Sequence, residues 1–223
     1  MRVENANPAH APGSPKERAS RRWGSLSVFV LLGLAAVAAS LAIPRDPAPY
    51  GPREAVFPLP QRYEGSYTND WGEARAQGTH EGTDMFAPEG TLIHSITGGT
   101  VVRARGSNEN GWNPLGGYTV MIEAAYDAGP IRRGDLLYYA HMKAQSGLRS
   151  GALVEAGEKI GKVGSTGQGP EGTRGRFEPH LHLGWYEGGW PGKNRPAAPS
   201  GAMNPYPLLR LLGEDAGALR PGS

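Results

Sequence analysis

The pattern of hydrophobic and polar residues divides the 223-residue chain into five parts. Residues 1–22 are polar, and residues 23–43 form an apolar run without a charged residue. Residues 44–60 are rich in proline. From residue 61 onward, short runs of alternating apolar and polar residues are broken by glycine, which is typical of strands. We therefore place one folded domain at residues 61–212 and a C-terminal tail at residues 213–223.

Five runs within this domain have the character of β-strands, because they alternate in polarity and are bounded by turn residues. They cover residues 99–105, 118–123, 135–142, 159–164 and 180–186. One short helix is predicted around residues 208–212. The fold class predicted from this pattern is mostly β, a compact domain built on an antiparallel sheet.

The apolar run at residues 23–43 is long enough to cross a bilayer, since twenty helical residues span about 30 Å. A cluster of four basic residues comes directly before it, namely Lys16, Arg18, Arg21 and Arg22. The positive-inside rule then places the N-terminus in the cytoplasm and the domain on the periplasmic or extracellular side. We predict a single transmembrane anchor followed by a semi-rigid spacer at residues 44–60. A cleaved signal peptide, with residues 40–42 as the cleavage site, is the alternative.

Composition narrows the possible chemistry. The formal net charge of +2 gives the chain no strong field that would attract nucleic acid. The chain has no cysteine, which excludes disulfides, thiolate zinc sites and a cysteine nucleophile. The 34 glycines and 20 prolines favour turns and short strands over long helices.

Two of the six histidines lie two positions apart in the last predicted strand. Side chains alternate along a strand, so His180 and His182 share one face about 6.6 Å apart along the chain. Leu181 and Leu183 then point the other way, into a core. Taken alone, this pattern favours two solvent-exposed histidines over a functional site.

His80 and Asp84 form a second candidate pair, because imidazole nitrogen and carboxylate oxygen are both zinc ligands. In a straight strand their α-carbons would be about 13 Å apart, too far for one ion. Gly82 permits a sharp bend that would bring both side chains to one point. A third candidate, His141, lies late in a predicted strand. Taken alone, each of these features is better explained by an ordinary surface or packed residue than by a functional site.

Together, these histidines and the aspartate indicate a metal site with two histidines and one aspartate. Zinc with three protein ligands keeps a fourth position for water, which is the catalytic arrangement. The metal lowers the pKa of that water and polarises the carbonyl under attack. Two further histidines can orient the water and stabilise developing charge. The reaction class indicated is metal-assisted hydrolysis.

Seven motifs occur in an order that resembles the LytM/lysostaphin-type zinc endopeptidases of cell-wall peptidoglycan. The resemblance covers most of the chain beyond the spacer, and no single motif is specific. The motifs are DWGEAR at 70–75, HEGTDMFAP at 80–88, GGTVV at 98–102, YAHM at 139–142, GEKIGKVGSTG at 157–167, PHLHL at 179–183 and NPYPLL at 204–209.

This resemblance implies a role for each candidate residue. His80, Asp84 and His182 would be the ligands of Zn²⁺, and His141 and His180 the catalytic pair. It also implies an open groove over the metal site in the antiparallel domain. The expected substrates are stem or cross-link peptides of peptidoglycan, cut by a membrane-tethered endopeptidase.

Two other function classes are open to such a domain. Some domains of this family have lost metal ligands and act as non-enzymatic activators of other cell-wall hydrolases. All five residues are present here, which favours the enzyme. A passive metal-binding or wall-binding module would not explain His141.

The chain departs from the family pattern in two loops. One covers residues 168–179 and is longer than the usual link, and the other covers residues 106–117. Arg174 and Arg176 lie in the longer loop, and we hypothesise that they bind stem-peptide carboxylates at the groove, because arginine binds carboxylates bidentately. A solvated loop is the alternative. Residues 44–68 could also cover the groove.

Overall fold

The computed structural model describes residues 54–76, 78–188 and 201–218, without the side chains of residues 215–218. The predicted transmembrane anchor at residues 23–43 lies outside these ranges, so its prediction is not addressed by them. Within the ranges, no helix is both long enough and apolar enough to cross a membrane.

Twelve short strands make up most of the regular secondary structure of the described chain, and one α-helix ends it. A single 3-10 turn, Gln61–Tyr63, precedes them. The strands are β1 (Ala74–Arg75), β2 (Gly78–Thr79), β3 (Thr83–Phe86), β4 (Leu92–His94), β5 (Gly99–Val102), β6 (Trp112–Asn113), β7 (Gly117–Ala124), β8 (Leu136–Met142), β9 (Leu153–Val154), β10 (Lys159–Lys162), β11 (His180–Tyr186) and β12 (Ala202–Met203). The helix is α1 (Tyr206–Ala218).

One antiparallel sheet dominates the fold. Its strand order is β12-β11-β8-β7-β5-β9, with β3 added to β11 and β6 added to β7. Two separate two-stranded ribbons, β1-β2 and β4-β10, complete the set. The predicted antiparallel, mostly β domain is therefore confirmed. All five predicted strands are present, and their ends differ from the predicted ends by at most three residues.

Alternation along β11 separates the core from the site. Leu181 and Leu183 are fully buried in the main hydrophobic core, as predicted. His180 and His182 project from the other face of the same strand. The core thereby fixes the strand that carries both histidines, since a shift of one residue would exchange its two faces.

The folded part of the chain begins before residue 61, where the sequence placed the end of the spacer. Phe57 and Leu59 are buried in the main core. The backbone N–H of Val56 donates to Ile96, and that of His94 donates to Pro58, both at 2.8 Å. Phe57 and Leu59 lie between prolines, and this proline-rich composition predicts an extended linker and not core positions. Residues 55–60 therefore belong to the domain.

The terminal helix is longer than predicted. It starts after Asn204, whose side-chain oxygen accepts the backbone N–H of Tyr206 at 2.9 Å. Leu208, Leu209 and Leu212 bury its inner face in the main core. The helix runs to Ala218, past the predicted end of the domain at residue 212. The glycines in its second half conceal this continuation, because glycine has a low helix propensity.

Candidate metal centre and active site

Strand pairing brings the three predicted metal ligands together. β3 lies antiparallel to β11, and Asp84 is directly opposite His182 in their register. The chain bends at Gly82, just before β3, which returns His80 towards the same point. The structure thus places His80, Asp84 and His182 side by side, although 98 residues separate Asp84 from His182 along the chain.

Three ligand atoms converge at this point. The Nε2 atom of His80 lies 3.2 Å from the Oδ1 atom of Asp84 and 3.0 Å from the Nδ1 atom of His182. The Nδ1 atom of His182 lies 2.9 Å from the same Asp84 oxygen. All three atoms fall within 4.8 Å of one another. Two imidazole nitrogens and one carboxylate oxygen match the ligand set of a catalytic zinc site.

The electrostatics of the cluster favour a bound cation. Burial opposes the charged form of His80, but hydrogen bonds to Asp70 and Asp84 outweigh burial and raise its pKa to about 10. Burial also opposes ionisation of Asp84, but hydrogen bonds from His182 and His80 outweigh it and hold the pKa of that carboxyl far below its usual range. Asp84 is therefore a carboxylate at neutral pH, ready to bind a positive charge.

Gly82 has a second role beyond the bend, because the imidazole of His182 packs directly against its α-carbon. A Cβ atom at this position would lie 2.6 Å from the Nε2 atom of His182 and 2.7 Å from the carbonyl oxygen of Leu183. Both contacts are too short, so any side chain here must move the histidine or separate β3 from β11. A glycine is required by this close approach.

We expect Gly82→Ala to weaken zinc binding, because the added methyl group displaces His182 from Asp84. Zinc affinity measured by competition with a chromophoric chelator tests this expectation. Gly65→Ala is the matched control, since a Cβ atom at Gly65 would meet nothing within 4 Å. Equal zinc affinities for the two variants would contradict the assigned role of Gly82.

Asp70 supports His80 from behind, a role that sequence reasoning did not assign. The Nδ1 atom of His80 lies 3.1 Å from the carbonyl oxygen of Asp70 and 3.2 Å from its Oδ2 atom. Both partners only accept hydrogen bonds, so Nδ1 carries a hydrogen, and Nε2 is the nitrogen that faces the ligand cluster and would lose its proton to a bound metal ion. Arg75 lies 3.5 Å from Asp70 and 3.4 Å from Asp84, and ties the two carboxylates together. The motif at residues 70–75 contributes to the family resemblance, but it does not predict the contacts that Asp70 and Arg75 make.

We expect Asp70→Asn to lower zinc affinity by about 10–100-fold, the usual effect of removing a group that orients a ligating histidine. The amide retains the size of the side chain but loses its charge. Glu73→Gln is the matched control, because Glu73 contacts Arg75 at 3.6 Å and is exposed. The expectation fails if both variants bind zinc as tightly as the wild type.

A β-bulge aims His141 at the site. The pairing of β7 with β8 runs from Tyr118 opposite Met142 to Val120 opposite Tyr139, so β8 has one extra residue. Within this bulge His141 has a φ of 59°, in the left-handed region that few residues other than glycine adopt. Bulges redirect side chains, and strained backbone of this kind clusters at functional sites. The ring of His141 is thereby centred 4.8 Å from that of His180.

His141 and His180 are oriented in the same way. The Nδ1 atom of His141 lies 2.8 Å from the carbonyl oxygen of Thr166, and that of His180 lies 2.7 Å from the carbonyl oxygen of Glu178. Each Nδ1–H therefore donates to a carbonyl group, which leaves Nε2 as an acceptor. Burial lowers the pKa of His141 to about 3 and also lowers that of His180. Both imidazoles are therefore neutral at pH 7, and their Nε2 atoms carry no hydrogen.

An open groove exposes this arrangement to solvent. Its volume is 1210 Å³, and all five predicted site residues line it. Arg174 and Arg176 are exposed and are not among the lining residues, so the structure does not place them where the hypothesis of carboxylate binding requires. Residues 54–68 do not line the groove either. Arg75, Arg105 and Phe177 line it instead.

Known proteins resemble this chain in sequence and in fold. An L-Ala–D-Glu endopeptidase of Bacillus subtilis is 38% identical over 161 residues, which cover 70% of this chain and 43% of that protein. A lysostaphin of Staphylococcus staphylolyticus is 34% identical over 106 residues, which cover 48% of this chain and 18% of that protein. This chain thus spans less than half the length of either relative.

A solved structure from Ruminococcus gnavus, described as a glycyl-glycine endopeptidase lytM, superimposes with a TM-score of 0.55 at 35% identity. The match covers 74% of this chain and 62% of that chain. The sequence profile of peptidase family M23 matches residues 78–194, more than half of the chain. This range contains His80, Asp84, His141, His180 and His182. The chain therefore belongs to peptidase family M23.

Proposed function

We propose that the protein is a zinc-dependent endopeptidase that hydrolyses peptide bonds of peptidoglycan. The observation that carries this proposal is the convergence of five residues in one open groove. His80, Asp84 and His182 form a ligand set suited to zinc, and two neutral histidines, His141 and His180, lie beside it. A site built only to bind metal does not need the second pair.

Two groups of residues have different roles in the proposed hydrolysis, one in metal binding and the other in proton transfer. His80, Asp84 and His182 would hold the zinc ion, which when bound would act as a Lewis acid on the scissile carbonyl and activate water. The unprotonated Nε2 atoms of His141 and His180 would accept the proton of the attacking water, and the Nε2–H so formed would donate to the charge that develops on the carbonyl oxygen. The carbonyl groups of Thr166 and Glu178 hold both imidazoles in the tautomer that this work requires.

The names of the relatives support the proposed substrate. One relative is named an L-Ala–D-Glu endopeptidase and another a lysostaphin. The resemblance of the motifs to cell-wall endopeptidases agrees with these names. Stem or cross-link peptides of peptidoglycan are therefore the proposed substrates.

We further propose that residues 23–43 tether the enzyme to the cytoplasmic membrane, with the domain on the periplasmic or extracellular side. Support comes from the apolar run and from the basic residues before it. Membrane fractionation followed by N-terminal sequencing of the mature protein tests the tether. A soluble protein whose sequence starts after residue 42 would show a cleaved signal peptide instead.

Zinc analysis and digestion of purified peptidoglycan test the proposed activity. The full-length protein in detergent is expected to bind about one zinc per chain, as a single three-residue ligand set allows. New amino groups should appear in peptidoglycan only when zinc is present, and a chelator should stop their release. A protein that releases none, yet stimulates a separate cell-wall amidase, would establish the non-enzymatic activator instead.

A further inference from the structure

The longer loop at residues 168–179 and the loop at residues 106–117 form one wall of the groove. Backbone hydrogen bonds join them, from Gln168 to Leu115 at 3.3 Å and from Gly169 to Pro114 at 2.9 Å. The indole N–H of Trp112 donates to the carbonyl oxygen of Gly169 at 3.3 Å. The two loops are thus held together by main-chain contacts as well as by a side chain.

Glu171 fastens the outer side of this wall. Its carboxylate accepts hydrogen bonds from the side-chain amide groups of Asn108, at 2.8 Å, and Asn110, at 3.1 Å. The longer loop is also bonded to the residues just before it, because Gly167 donates to Thr173 at 3.0 Å and Gly175 donates to Ser165 at 3.1 Å. A wall fixed in this way does not have to be ordered when a ligand arrives, which favours binding.

The groove side of the wall carries apolar side chains. Pro114, Leu115 and Phe177 all line the groove, and Leu115 is 54% exposed. The ring of Phe177 is centred 4.6 Å from that of His141 and 5.1 Å from that of His180. Phe177 therefore lies against both histidines of the proposed catalytic pair. The apolar surface of Phe177 therefore lies beside the residues proposed to act on the scissile bond.

We propose that Pro114, Leu115 and Phe177 form a subsite that selects an alkyl side chain, such as that of alanine, over glycine beside the scissile bond. The inference rests on the proposed endopeptidase function and names its substrate class, alanine-containing stem peptides as opposed to glycine bridges. An alkyl group gains from contact with exposed apolar carbon, and glycine has none to offer. One methyl group in a hydrophobic pocket changes kcat/KM by about 10–200-fold.

Paired peptides test the subsite. The zinc-loaded full-length protein is incubated with two series of peptides. One series compares alanine with glycine before the scissile bond, and the other compares them after it. The value of kcat/KM for each peptide is measured by chromatography of the products. The wild type should prefer alanine at one of these positions by about tenfold or more. Phe177→Ala should reduce that preference, and Phe177→Leu should restore part of it.

Phe86→Ala is the comparison variant. Phe86 also contacts His180, with ring centres 5.5 Å apart, but it does not line the groove. Its replacement should leave the ratio of alanine to glycine at the wild-type value. A variant that merely loosened His180 would lower turnover of both peptides and leave this ratio unchanged.

The outcomes separate this inference from the function on which it rests. Cleavage of alanine and glycine peptides at equal kcat/KM would overturn the subsite and leave the proposed endopeptidase function standing. An unchanged ratio of alanine to glycine cleavage in Phe177→Ala would have the same meaning. If no peptide is cut, the proposed function fails, and binding of the same peptides is measured by calorimetry. Equal Kd values for the alanine and glycine peptides would then overturn the subsite.

Discussion

Replacement of His182 by alanine is expected to abolish zinc binding and peptide hydrolysis together. His182 supplies one of three converging ligand atoms, 2.9 Å from the carboxylate of Asp84. Without its imidazole, only His80 and Asp84 remain, and two ligands do not complete a protein zinc site. The loss of zinc affinity should therefore exceed the roughly 10–100-fold caused by removing a residue that only supports a ligand. Metal content after dialysis and release of amino groups from peptidoglycan measure both effects.

His94→Ala is the matched control for this variant. His94 lies on β4, opposite Lys159 of β10, and does not line the groove. Its loss should leave both zinc content and hydrolysis near the wild-type level. A His182→Ala protein that retains one zinc per chain after dialysis would remove His182 from the ligand set.

Replacement of His180 by alanine should have the opposite signature, loss of hydrolysis with zinc retained. The Nδ1–H of His180 is committed to Glu178, and its Nε2 atom lies 3.6 Å from Asp84, at the edge of the ligand cluster. It is placed to act on water or on the developing oxyanion. Loss of a positioned acid–base group lowers kcat by about 10²–10⁴-fold. Steady-state kinetics beside zinc analysis of the same preparation separates the two effects.

His141→Ala should behave like His180→Ala, because both imidazoles present a neutral Nε2 atom to the groove. The roles are inverted if His180→Ala loses zinc while His182→Ala keeps it. A His180→Ala protein that retains both zinc and full activity would leave His180 as a packing residue.

Candidate site residues could be named from the sequence because few residue types bind zinc, and the resemblance of the motifs to zinc endopeptidases divided them into ligands and a catalytic pair. Alternation along a strand placed His180 and His182 on one face and Leu181 on the other, and the structure agrees. The convergence of His80 with Asp84 was ambiguous, since a straight strand would separate them. Only the pairing of β3 with β11 brings Asp84 to His182. The register between strands so far apart in the sequence cannot be predicted from the local pattern of apolar and polar residues.

Three features escaped sequence reasoning for physical reasons. The bulge in β8 leaves the pattern of polarity unchanged, so His141 read as an ordinary strand residue. Asp70 contacts His80 through space, ten residues away, and carries no periodic signal. Phe57 and Leu59 are core residues between prolines, where composition indicated a linker.

The longer loop also shows how composition can mislead. The charges of Arg174 and Arg176 predict carboxylate binding at the groove. Both side chains are exposed, but neither lines the groove. Phe177, the next residue along, turns inward onto His141 and His180. Which residues of a loop face inward depends on its turns, and these are fixed here by contacts with the neighbouring loop.

The carbonyl group of Thr166 lies two residues before the longer loop and that of Glu178 lies near its end, and each orients one histidine of the proposed catalytic pair. The loop is therefore not an interchangeable module. A chimera that received the corresponding loop of a relative would have to reproduce both carbonyl positions at once. Exchange of the loop to alter substrate choice should change turnover as well, so specificity and rate cannot be engineered separately in this segment.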